Sequence, residues 1–249
     1  MAGQLAGKVA LVTGAVRRGG RAIAHALARE GAAIIVNTRR SREEAEKVRA
    51  EIEAMQGQAL VCLADITDEA AVARMFDEAG KRFGRLDILV NNAADRGMVP
   101  FENMTTEQWR HIVGIALDGS FFCTRAAVPY MLKGGWGRIV NISGVSHYAP
   151  SYSGRAHVSA AKAGLEGFTR ALAAEYAKKN ITVNCVCPGR IGGDRSATSS
   201  ELPDPTLIPP VGHLGVSEDI AGAVHYFCLP TSGFVTGHTM HVNGGQVLL

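Results

Sequence analysis

The chain has 249 residues, 47% of them hydrophobic, and its 26 Lys and Arg against 23 Asp and Glu leave a formal charge of +3. That length can bury a sizeable core in one large α/β domain or two small ones, and so mild a charge is no signal of a nucleic-acid partner. The N-terminus has no signal-peptide core and no run of about 18 apolar residues is present to cross a membrane, so a soluble cytoplasmic protein without a membrane partner is expected.

In chain order, Lys8-Val9-Ala10-Leu11-Val12-Thr13-Gly14 is a short apolar strand that stops at a glycine-rich turn. Ala15-Val16-Arg17-Arg18-Gly19-Gly20 then leads into a helix over 20–30 that ends at Gly31. Residues 32–37 form a second buried strand. Ser41 and Glu44 have the spacing of a capping box and open a helix that ends at Gly57. A third strand over 60–63 leads to Asp65-Ile66-Thr67, a helix occupies 68–83, and a fourth strand over 86–90 runs into Asn91-Asn92-Ala93-Ala94. Thr105 and Gln108 cap a long helix that ends by Gly134-Gly135, and the fifth strand covers 138–142. A loop rich in Ser, Gly, Pro and Tyr precedes a helix over 156–179 and a sixth strand over 181–187 that ends at Pro188-Gly189. The stretch 190–215, with Pro203, Pro205, Pro209 and Pro210, has little periodicity and reads as a loop or lid over a substrate. Ser217 starts a further helix, and 238–242 is a last strand.

Short apolar strands alternate with helices throughout. The pattern gives an α/β fold, a doubly wound parallel sheet with helices on both faces. No linker, repeat or low-complexity tract divides the chain, so 1–249 is read as a single domain. The five cysteines have no metal-ligand spacing and read as reduced core thiols; no metal site is expected. Ligands of such sheets bind beyond the strand C-termini, so chemistry is sought at the tips after strands one, four, five and six.

The first turn has the order strand, glycines, helix. Backbone N–H groups and the positive helix end suit a dinucleotide pyrophosphate, and glycine permits its close approach. The turn is not a G-x-G-x-x-G, so it acquires meaning only from the rest of the chain. Thr13-Gly14 with Gly20, Asp65, Asn91-Asn92-Ala93, Asn141-Ile142-Ser143, Ala160-Ala161-Lys162-Ala163-Gly164, Pro188-Gly189, and Thr236-Gly237-His238-Thr239 with Val242-Asn243-Gly244-Gly245 recur in one order over essentially the whole chain. Together they resemble the short-chain dehydrogenase/reductase family, nearest its β-ketoacyl-carrier-protein reductase-like members.

The resemblance implies a Rossmann-type fold and a nicotinamide cofactor. Gly14, Arg17, Arg18, Gly19 and Gly20 would form the phosphate turn, with Arg18 standing where the family usually has its middle glycine, as is similar in pteridine reductases. NAD-preferring members often carry an Asp at the end of the second strand. This chain has Asn37-Thr38-Arg39-Arg40 there, so a 2′-phosphate would meet cations, and NADP(H) is expected over NAD(H). By the same likeness Asp65 and Ile66 border the adenine, Asn92, Ala93 and Ala94 line the ribose side, Lys162 contacts the nicotinamide ribose, and Pro188, Gly189 and Ile191 flank the nicotinamide. The long helices imply a homotetramer or homodimer.

The likeness breaks at the proton-transfer site. The family uses Asn, Ser, Tyr and Lys. Lys162 holds the lysine position, but Val158 stands four residues earlier where the tyrosine is expected, Gly144 stands at the serine and Ala116 at the asparagine. Valine transfers no proton. Candidate substitutes are His157, Tyr152, Ser143 and Ser146, the serines if the loop is shifted; the spacing from Gly144 to Val158 is one longer than the family's. His157 lies about 100° around the helix from Val158, so its ring can point elsewhere. His147 and Tyr148 would shape the pocket.

Three readings follow. The first is an NADP(H)-dependent oxidoreductase acting on a small carbonyl or alcohol, an imine or an activated alkene. The second is non-redox chemistry, as a lyase, hydrolase or isomerase, on the same fold. The third is a non-catalytic NADP(H)-binding protein.

Overall fold

The computed structural model describes residues 3–149, 153–192 and 208–248. Its strands are β1 (Val9–Val12), β2 (Ala33–Thr38), β3 (Ala59–Leu63), β4 (Ile88–Asn91), β5 (Gly137–Ile142), β6 (Ile181–Pro188) and β7 (Thr239–Val242). They form one sheet in the order β3-β2-β1-β4-β5-β6-β7, and every pairing is parallel. Every residue of β1, β4 and β5 is buried, as expected of central strands covered on both faces.

Alternate residues feed two cores. Ala10, Val12, Ile34, Val36, Val90 and Val140 pack against Ile23 and Leu27 of α1 (Arg18–Arg29) and Phe227 of α7 (Ser217–Cys228). Leu11, Ile35, Leu89 and Ile139 pack on the other face against Met75 and Phe76 of α3 (Glu69–Phe83) and against Cys123, Ala127 and Met131 of α5 (Gly119–Gly134). The two-residue period of the strands thus sorts one continuous apolar run into two layers. The remaining helices are α2 (Arg42–Ala54), α4 (Thr106–Val113) and α6 (Ala156–Tyr176).

Local chemistry explains most boundaries. Asp68 accepts from the backbone N–H groups of Ala70 and Ala71 to start α3, and Gly84 ends it at φ 70°. Thr105 and Gln108 form the full reciprocal capping box. Ser41 does not form one. Its ψ of 69° is not the extended geometry that aims a hydroxyl at the third helical N–H, and Glu44 pairs with Lys47 at 3.0 Å instead.

The long helix expected after Thr105 is interrupted by a π-helical turn, Gly114–Asp118, between α4 and α5. Such insertions bend a helix and often mark functional positions. Contrary to the sequence reading, the run Thr106–Gly134 is long and apolar enough to cross a membrane by length and composition. Its buried side packs on the sheet, which accounts for that apolarity. α6 is shorter than expected, ending in a 3₁₀ turn, Ala177–Lys179, closed by Asn180 at φ 58°.

The strand order reverses between β1 and β4, so their C-terminal ends diverge and open a crevice. Side chains pin this junction. Thr13 Oγ1 accepts from the N–H groups of Asn92 and Ala93 at 2.9 and 3.0 Å, and Asn92 Nδ2 donates to the carbonyls of Thr13 and Gly14 at 2.9 and 3.1 Å. Gly20 is required by contact: a Cβ there would sit 2.2 Å from the Gly14 carbonyl oxygen and 2.6 Å from Asn92 Nδ2. Gly20→Ala is therefore expected to cost on the order of 1–3 kcal/mol. Gly222→Ala, on an exposed face of α7 with nothing within 4 Å, is expected to gain roughly 0.5–1 kcal/mol. Urea denaturation midpoints of the two variants measure both effects.

Candidate active site

The crevice widens into a cleft of about 930 Å³ that runs from Arg39 and Asp65 at one end to Ser143, Ser146 and Lys162 at the other. Gly14, Arg17, Arg18, Gly19 and Gly20 line its middle, with Asn92, Ala93 and Ala94 on the β4 side and Pro188, Gly189 and Ile191 on the β6 side. Gly14 has φ 61°, which aligns the turn with the start of α1. Arg18 also has a positive φ, 47°, at the position where the family has glycine. Its guanidinium donates to the carbonyls of Ile191 and Gly192, each at 3.1 Å. Arg18 thus ties the turn to the segment after β6 from across the cleft.

At the far end, Asn37, Thr38, Arg39, Asp65 and Ile66 line the cleft. Asn37 is fully employed within the fold. Its Oδ1 accepts from Gly14 N–H at 3.4 Å, and its Nδ2 donates to the carbonyls of Cys62 and Ala64. Arg39 lies 3.9 Å from the Asp65 carboxylate and stays half-exposed. Partial burial works to raise the Asp65 pKa, but hydrogen bonds from Thr67 and the charges of Arg39 and Arg40 outweigh it and hold the carboxyl below its usual range.

The other end of the cleft is built around Lys162. Lys162 is buried and donates from Nζ to the Ile142 carbonyl at 2.6 Å. Burial pushes its ammonium down to about 8, and the charge of Arg96 adds to the push. Val158 lines the cleft but turns into a small apolar cluster with Ile112, Ala116 and Ala161. The positions expected from the sequence for the tyrosine and the asparagine, Val158 and Ala116, therefore share one apolar cluster, and Ala116 sits in the π-helical turn. Gly144, at the serine position, faces open space, with nothing within 4 Å of where a Cβ would be.

The candidate substitutes part company. Ser143 and Ser146 line the cleft. Ser146 Oγ is buried without a partner among the described residues, while its carbonyl accepts from Ser159 Oγ at 3.0 Å. His157 does not line the cleft. The turn of about 100° from Val158 carries its ring toward Gly97, and burial, with Arg155 nearby, lowers its pKa. Tyr152 lies outside the described residues, as does 193–207, most of the expected covering loop.

One group escaped the sequence reading. Glu166 of α6 is 3% exposed, and it accepts from Ser143 Oγ at 2.8 Å and from the Tyr148 hydroxyl at 2.5 Å. His147 Nε2 lies 3.2 Å from its Oε1, an ion-pair distance reached without an aligned hydrogen bond. Burial works to raise the Glu166 pKa, but His147, Tyr148 and Ser143 together outweigh it and hold the carboxyl below its usual range. The available signal was spacing: Val158, Ala161, Lys162, Leu165, Glu166 and Thr169 recur at three and four residues along the buried side of α6.

The depressed Lys162 pKa has a consequence for stability. Between about pH 8 and the ordinary lysine value near 10.5 the unfolded chain binds more protons at this site than the folded one, so folding stability gains as pH rises through that window and carries the full burial cost below it. Relative to Lys162→Met, wild type is expected to gain roughly 1.4 kcal/mol per pH unit at the steepest. Parallel urea melts of the two proteins at pH 7, 8, 9 and 10 measure the difference.

Comparison with known proteins agrees with this geometry. A family model described as Enoyl-(Acyl carrier protein) reductase matches residues 14–246. A 3-oxoacyl-[acyl-carrier-protein] reductase of Synechocystis sp. is 38% identical over 245 residues, 98% of each chain. The 3-oxoacyl-[acyl-carrier-protein] reductase FabG of Staphylococcus aureus is 39% identical over 243 residues, 97% of this chain and 98% of its own. Nodulation protein G of Azospirillum brasilense is 38% identical over 243 residues, 96% of this chain and 97% of its own. With the parallel sheet, the glycine turn at its switch point and Lys162 at the cleft, these matches show that the chain belongs to the short-chain dehydrogenase/reductase family.

Proposed function

We propose that this chain is an NADP(H)-dependent oxidoreductase acting on a small carbonyl or alcohol, an imine or an activated alkene, with a proton-transfer site unlike the family's. The observation that carries the reading is selective loss. The glycine turn, with Arg18 at its middle position, lines one cleft with Asn92, Pro188 and Lys162, while Val158 and Ala116 close an apolar cluster over the place expected for the usual acid.

The residues fit a dinucleotide. The close approach that excludes a side chain at Gly20 makes a backbone cradle, and Arg17 and Arg18 bring positive charge to it. Arg39 and Thr38 suit a 2′-phosphate, and Asp65 and Ile66 the adenine. Asn92, Ala93 and Ala94 suit a ribose, Lys162 the nicotinamide ribose, and Pro188, Gly189 and Ile191 the nicotinamide ring. The cofactor, when bound, supplies or accepts the hydride. The chain's own residues bind, orient and manage the proton. Lys162 places a positive charge beside the reacting atoms below about pH 8 and releases it above. A carbonyl substrate needs an acid in place of the tyrosine, whereas an iminium needs none. The likeness to 3-oxoacyl-[acyl-carrier-protein] reductases favours the carbonyl class first. By the same kinship the protein is a cytoplasmic homotetramer or homodimer, one domain over 1–249, with 190–215 covering a small-molecule substrate.

NADPH consumption with product identification, over a panel of ketones, imines and activated alkenes, tests the reading. Turnover is expected, and Lys162→Ala is expected to lower kcat/KM by about a hundredfold or more, about 3 kcal/mol of transition-state stabilisation. An inert protein that still binds NADPH tightly points to non-redox chemistry or a binding role. Arg39→Asp puts a carboxylate where the 2′-phosphate is expected, and should shift the NADPH-to-NADH ratio of dissociation constants toward NADH by at least tenfold. Fluorescence titration with each cofactor measures it.

A further inference from the structure

A carboxylate taken out of water costs several kcal/mol unless hydrogen bonds and charges compensate, and an apolar residue would serve packing on this face of α6 at no such cost. Glu166 is nevertheless buried there, one helical turn beyond Lys162, behind the end of the cleft. The groups around it come from four elements. Ser143 follows β5, His147 and Tyr148 belong to the 3₁₀ segment after it, Cys185 and Cys187 lie on β6, and His241 lies on β7 with its ring 5.0 Å from that of Tyr148. Burial pushes the two thiols up to about 11 and about 12, so they carry no proton traffic near neutral pH. The Tyr148 phenol is likewise raised, by burial first and by Glu166, and stays a donor that holds Oε2 in place.

We propose that Ser143 relays a proton between the cleft and the buried Glu166, whose carboxylate His147 and Tyr148 flank, in place of the family's tyrosine-centred route. Ser143 lines the cleft and donates its own proton to Glu166 Oε1, which leaves an oxygen lone pair for a substrate hydroxyl to donate to. In the oxidative direction the substrate O–H bond breaks and a new O–H bond forms on Ser143 Oγ. The original Ser143 O–H bond breaks in the same movement, and its proton bonds to Glu166 Oε1. Glu166 holds the proton there, with His147 Nε2 3.2 Å from Oε1 and both of its ring nitrogens shielded from water. The reductive direction runs the same bonds in reverse. No electron moves in the relay. Ser143 is the catalytic residue of the set, and Glu166, His147 and Tyr148 act through it. The relay rests on the oxidoreductase reading, since it serves the proton that accompanies hydride transfer.

Two measurements test it. The first needs no turnover: infrared titration of the Glu166 carboxyl band, identified by its absence in Glu166→Gln. In Ser143→Ala the band is expected to titrate at higher pH than in wild type, because one of the donors that stabilise the anion is gone. An unchanged titration removes the Ser143–Glu166 link and overturns the relay. The second is the pH profile of alcohol oxidation. Ser143→Ala and Glu166→Gln are expected to lower kcat by 30-fold or more, with KM and NADP binding within about twofold, and Glu166→Gln is expected to lose the acidic limb where wild type fails as the carboxylate protonates. Should Glu166→Gln misfold, Ser143→Ala decides alone. A folded variant with wild-type kcat and an unaltered profile overturns the relay. An inert wild type whose infrared shift appears overturns the oxidoreductase reading and leaves the Ser143–Glu166 link standing.

Discussion

The site depends on how closely the backbone after β1 approaches the start of α1. Gly20 lies so near the Gly14 carbonyl that no side chain fits between them, and Asn92 fastens both carbonyls of the turn to the tip of β4. That contact sets the depth of the crevice at the switch point. A longer distance would let α1 drift from the sheet and would withdraw the N–H groups that face the ligand. The rest follows from the same junction. β4 carries Asn92 to Ala94 along one wall, and Asn91 continues inward through Asn141 to Thr169, a buried amide chain that locks β4, β5 and α6 in register. The position of Lys162 on α6 is therefore coupled, through hydrogen bonds rather than loose packing, to the turn that would hold the phosphates.

Two opposite solutions meet at the reacting end. Around Val158 and Ala116 the chain has traded polar groups for an apolar cluster, which needs no hydrogen-bond partners and seals the helix contact. About two turns further along α6 it has done the reverse and buried a carboxylate with Ser143, Tyr148 and His147 around it. If polar function had simply been lost, apolar replacement would be expected at both places. The π-helical turn belongs with the apolar cluster. It spans Gly114–Asp118 and turns Ala116 into the cluster with Val158, so an irregular stretch of helix here serves apolar packing.

The fold was legible because its signals are local and periodic. Apolar runs, glycine stops and the Thr105–Gln108 box each report on a few neighbouring residues, and the strands fell where the pattern put them. The cofactor-side residues were legible for a second reason: they lie on strand tips, whose direction the sheet dictates. Side-chain direction on α6 was less accessible. His157 adjoins Val158 in sequence, yet the helical rotation carries its ring out of the cleft. Glu166 went unread because a glutamate four residues after a lysine usually marks a solvated ion pair. Only the tertiary packing of β5, β6 and the 3₁₀ segment after β5 against α6 reveals that water is excluded there. Ser41 failed as a cap for a similar reason: spacing named the pair, but the backbone torsion decided the bond.

Lys162 joins these threads. In a site with the usual tyrosine, a lysine's charge is justified by the phenolate it stabilises. Here no phenol stands beside it among the described residues, burial works against its proton, and Arg96 adds repulsion. A residue retained solely for packing under those conditions would be more stable as methionine or leucine. Inside the fold its ammonium has the Ile142 carbonyl, and a bound dinucleotide along the cleft, from Gly14 to Ile191, would add the charge partner that the proposed function supplies. A bound anionic ligand would restore the ammonium's proton affinity, so lysine and ligand stabilise each other, and the cost of burying the charge falls on the empty protein alone.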